Sequence, residues 1–248
     1  MPPLLGQIFF NERVVMVFIS QVSVTIILLF LTLKLFGRYR ERRQPATRYI
    51  TLTSLFLSLT TCLQLLDMLV MDPFIGIRRV GLSLAFAVSA IANIFLYLFM
   101  LEIFSKGRQS GGVKLKIFAV VEGAIAVLLP ILGPTTAVGT TLLDAFTILL
   151  LVHLAFALAL YLALIRVTSL AIHGTADALA KRGFSYIRIA AVSIIAAYLL
   201  FVMDSVWTAL VEPEGYTYWV IGGWIAAGIS GILLYVGFVL PRRLRQQT

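Results

Sequence analysis

The sequence predicts an all-α integral membrane protein, a single domain built as a bundle of seven transmembrane helices. Three observations carry that prediction. Seven long apolar stretches, separated by short polar connections, fill most of the 248 residues. Hydrophobic residues make up 60% of the chain and charged ones only 12%, too few charges to cover the surface of a soluble domain. Basic residues also gather on alternate connections, the pattern of membrane-flanking segments.

The expected spans are Val14–Phe36, Tyr49–Met71, Val80–Phe104, Leu115–Leu132, Leu142–Ile165, Tyr186–Leu210 and Thr217–Leu240. Each reaches or approaches the roughly 20 residues that cross about 30 Å of hydrocarbon as a helix. The opening residues Met1 to Gly6 lack a basic leader, and no clear cleavage site follows the first apolar run. That run is therefore expected to remain as a helix. The second span carries Cys62, the sole cysteine, which excludes an intramolecular disulfide and reads as apolar filler. The fourth ends near Pro130 and Pro134, which can stop or bend it, with Gly133-Pro134 as a turn. The longest connection, about Arg166 to Ser185, is too short for a folded domain. It also places His173 in a solvated loop. No kinase, nucleotide-binding or extracellular ligand module is expected. The seventh span is rich in small residues, including Gly222, Gly223, Gly228, Gly231 and Gly237, which let another helix approach closely. Trp207, Tyr216, Tyr218 and Trp219 form an aromatic belt suited to one membrane interface.

Charge predicts orientation. The first connection has Arg38, Arg40, Arg42, Arg43 and Arg48, and the third has Lys106, Arg108, Lys114 and Lys116. The fifth adds Arg166, Lys181, Arg182 and Arg188, and the tail adds Arg242, Arg243 and Arg245. The other side has only Arg13, Arg78 and Arg79, set against Glu12, Asp72, Glu212 and Glu214. The N-terminus is expected outside and the C-terminus in the cytoplasm of a multi-pass cell-membrane protein. The formal charge of +9 follows from this asymmetry and does not point to nucleic acid. Membrane lipids are the expected partners of the basic flanks, with a cytoplasmic protein as the alternative.

Aligning Asp67 with Asp204 sets Tyr49 and Ile50 against Tyr186 and Ile187, and Lys106 against Arg243, at one common offset. The pattern suggests a three-plus-one-plus-three plan, with the fourth helix as connector between parallel repeats.

Ionisable residues inside a span are costly to bury and so mark candidate sites. Asp67, Asp144 and Asp204 fall about one or two turns from the outer surface and are expected to line an acidic vestibule for a small ligand or cation. Asp144 could equally cap its own helix. Deeper, Glu122 and His153 are placed in the middle third of antiparallel helices, where they can pair, relay protons or hold a polar ligand group. Asn93, Tyr198 and Gln64 extend this network or bond between helices. Glu102 is expected in an inner salt bridge, or gate, with Lys106, Arg108 or a first-connection arginine.

The chain has two histidines and no HExxH, CxxC pair, Walker loop or GxSxG elbow, so neither an enzyme nor a cofactor is expected. The layout of seven helices from outside to inside resembles that of microbial rhodopsins and seven-helix receptors, by topology alone. A retinal protein would carry a Schiff-base lysine in its last helix, and the seventh span has none, which argues against a covalent pigment. The expected function is a sensor or receptor that binds a small ligand or cation within the bundle. The alternatives are a small-solute or proton-coupled transporter and a non-catalytic subunit of a membrane complex.

Overall fold

The structure is a computed structural model that describes residues 12–69, 80–104, 112–133, 145–210 and 217–245. Among the described residues it is all-helical, without strands. The helices are α1 (Glu12–Arg42), α2 (Pro45–Leu66), α3 (Val80–Phe104), α4 (Gly112–Leu132), α5 (Ala145–Gly174), α6 (Ala178–Leu210) and α7 (Tyr218–Arg245). Seven helices are long and apolar enough to cross a membrane, the build of a multi-pass membrane protein.

The helices keep the predicted order, but two connections differ from expectation. The fifth shrinks to residues 175–177, because α5 runs on to Gly174 and α6 starts at Ala178. Hydropathy marks where a helix is apolar, not where it ends, and Arg166, Lys181 and Arg182 are good helix formers. Asp177 accepts a bond of 2.9 Å from the Leu179 N–H and caps α6. His173 consequently lies on the last turn of α5, with Nδ1 2.7 Å from the Ser169 carbonyl, and not in a loop. The turn from α1 to α2 passes through Arg43, which adopts a left-handed φ of 49° and bonds back to the Tyr39 carbonyl. Pro45 then opens α2, where a missing N–H costs nothing. Pro130 sits inside α4, which continues to Leu132.

The chain divides into two compact units. One takes in Leu28–Ala157; the other takes in α1 through Ile27 and the chain from Leu158 onward. In the first, α3 packs against both α2 and α4. In the second, α6 and α7 pair along their length. The close approach follows from the small residues of α7. A Cβ on Gly223 would lie 2.5 Å from the Phe201 ring, and one on Gly237 would lie 3.0 Å from the Gly183 carbonyl.

Polar side chains are buried alongside apolar ones, while the exposed faces carry many large apolar residues. The buried residues of α2 are Ile50 and the hydroxyl residues Thr51, Thr53, Ser54, Ser58, Thr60 and Thr61. Its exposed residues include Leu55, Leu59 and Leu66. Thr32 of α1 joins this face, with its hydroxyl 2.8 Å from Ser54 and 3.1 Å from Ser58. Along α1, Val17, Gln21, Val24, Leu28, Leu31 and Leu35 are buried at alternating steps of four and three, the seam of a packed helix. Met16, Ile19, Ile26, Phe30 and Leu33 point outward. Water would penalise such a surface, whereas hydrocarbon does not.

Candidate functional site

Asn93 of α3, Glu122 of α4 and His153 of α5 meet inside the first unit. Their exposures are 1%, 0% and 1%. Glu122 Oε1 accepts a hydrogen bond of 3.1 Å from Asn93 Nδ2, and its Oε2 lies 2.9 Å from His153 Nδ1. Both carboxylate oxygens are therefore engaged, one by a neutral amide and one by the group that can balance its charge. Burial without such partners would be prohibitively unfavourable.

The far side of the imidazole is different. His153 Nε2 is buried and has no hydrogen-bond partner; it is the one such side-chain atom among the described residues. The Phe86 ring stands edge-on to the imidazole, with centroids 6.0 Å apart at 71°. Phe86 also packs on an apolar cluster of Ala90, Ile125, Leu129 and Phe146. Phe86, Ala90 and Asn93 follow the i, i+4, i+7 spacing of one helix face, the signal by which Phe86 could have been found from sequence. A site of this kind can hold a polar group of a small molecule, or pass a proton between carboxylate and imidazole.

The other candidates are placed separately. Asp67 follows the last turn of α2, and its Oδ1 accepts a bond of 3.0 Å from the Gly81 N–H at the start of α3. Asp204, near the end of α6, accepts 3.1 Å and 2.5 Å bonds from the backbone N–H and hydroxyl of Thr217, just before α7. Each thus secures the start of the helix that follows its own: Asp67 caps α3, and Asp204 holds Thr217, whose hydroxyl oxygen caps α7 by accepting from the Trp219 N–H. The two lie in different units. Asp144 lies outside the described residues. Tyr198 belongs to the second unit, where its ring tilts against Tyr161 at 6.1 Å. Gln64 is half-buried on α2, and Glu102 is half-buried near the end of α3. Lys106 and Arg108, proposed partners of Glu102, lie outside the described residues.

At the ends of α6 and α7, Trp207, Tyr218 and Trp219 are exposed, and the Arg13 guanidinium lies 5.2 Å from the Tyr218 ring centroid. Tyr216 lies outside the described residues.

No family model matches the chain, and no curated protein or solved structure is significantly similar to it.

Proposed function

We propose that this protein is a membrane sensor that binds a small ligand at the Asn93–Glu122–His153 cluster. In this reading the N-terminus is outside, and the basic connections and C-terminus face the cytoplasm and a partner protein there. Ligand binding would shift the population of helix arrangements, and the partner would read that shift. The observation that supports the reading is the unpartnered, fully buried His153 Nε2 beside a carboxylate whose oxygens are both engaged. A cluster serving only to pin three helices gains nothing from an unsatisfied polar atom. We also propose the three-plus-one-plus-three duplication. Its support is the common sequence offset and the bond that Asp67 and Asp204 each make to the start of the next helix.

Proton-coupled transport is the second reading, favoured by the same Glu122–His153 bond, which can relay a proton. Purification into native lipid particles followed by native mass measurement and solvent extraction separates the two. The sensor reading predicts one specific small molecule retained per chain. It also predicts no proton flux when the protein alone is reconstituted into vesicles. Flux by the protein alone would favour transport, and a chain carrying only bulk lipid would count against the sensor.

A further inference from the structure

The contact between Glu122 and His153 bears on which ligand the site accepts. Among the described residues Glu122 has one charge partner, His153, and its other contact, Asn93, is neutral. A fully buried pair is disfavoured in any state with net charge. Two net-neutral arrangements fit the observed Nδ1–Oε2 contact of 2.9 Å. In one, a carboxylate faces an imidazolium, and both ring nitrogens bear hydrogen. In the other, the carboxylic acid donates to Nδ1 of a neutral ring, whose single hydrogen is then on Nε2. Both arrangements make the unpartnered Nε2 a donor.

The occupant must then supply an acceptor. Nε2 is the one unsatisfied buried side-chain atom among the described residues. Helical spacing sets apolar residues a turn away from each member: Ala90 from Asn93, Ile125 from Glu122 and Leu149 from His153. The Phe86 ring also packs against the imidazole. A protonated amine would place donor against donor, and an anion would restore the net charge.

From this we infer that the site binds the oxygen of a neutral lipophilic carbonyl or hydroxyl compound, accepted from His153 Nε2–H. The inference rests on the ligand-binding reading above and narrows the class of ligand. The test uses full-length protein with His173→Gln in lipid nanodiscs, so that ¹⁵N-labelled histidine reports His153 alone. We expect Nε2 to show a bonded hydrogen. Its signal should move on addition of 2-undecanone and stay in place with undecane or undecylammonium, and native mass should show one ketone per chain. An unprotonated Nε2, or a response to the ammonium and not the ketone, overturns the inference and leaves the site standing. If none of the three probes binds, the inference falls together with the reading on which it rests.

Discussion

Glu122 is held from two sides, and the amide side makes a prediction about stability. Removing the amide by Asn93→Ala strips one bond from a buried carboxylate and should lower stability by about 1–3 kcal/mol. Thermal unfolding in nanodiscs reads this as a clear drop in Tm; an unchanged Tm would show that Asn93 does not support Glu122. Replacement of the carboxylate itself by Glu122→Leu leaves His153 without a partner on either nitrogen. The pairing of Glu122 with His153 was legible in the sequence, because a charge in an apolar span needs a partner and helical rise puts both at one depth. Phe86 was hidden among the apolar residues around it, although its spacing to Asn93 pointed the right way. The idle Nε2 could not be read at all, since it depends on which side of the ring faces Glu122. Nor could sequence separate ligand site from cap at Asp67 and Asp204: the same residue serves either, and the turn back to Gly81 or Thr217 decides.

At the scale of elements, glycines separate contacts that matter from space that does not. Gly223→Ala would push a methyl group into the Phe201 ring and force α6 and α7 apart, at a cost of about 1–3 kcal/mol. Gly123→Ala meets no atom within 4 Å and removes a flexible residue from α4, so its Tm should equal or slightly exceed that of the parent. A reversed order of these two Tm values would contradict the packing described. Hydropathy located every span, yet it could not reveal which face of α1 is buried, because leucine and isoleucine surround the helix. Only Gln21, Thr25 and Thr32 mark that face. The same blindness to helix ends produced the overlong connection between α5 and α6, where charged residues continue the helices past the apolar stretch.

For the whole chain, the apolar exterior and the hydroxyl-rich interior of α2 describe a protein whose solvent is hydrocarbon. It should stay in the membrane pellet through alkaline carbonate and high salt; release into the supernatant would contradict the seven spans. The proposed orientation is tested with Gln247→Cys in a Cys62→Ser background. A membrane-impermeant maleimide should label inverted vesicles and spare intact cells, and the opposite pattern would reverse the topology. The central claim, that the cluster binds a ligand rather than only holding helices, is tested most directly by His153→Asn. The asparagine amide can replace Nδ1 in the bond to Glu122, while Nε2 is removed. Native mass of parent and variant in native lipid particles should show the retained small molecule only in the parent, with both proteins melting within a few degrees of each other. The same small-molecule complement on both would contradict the claim and leave the cluster as a structural pin.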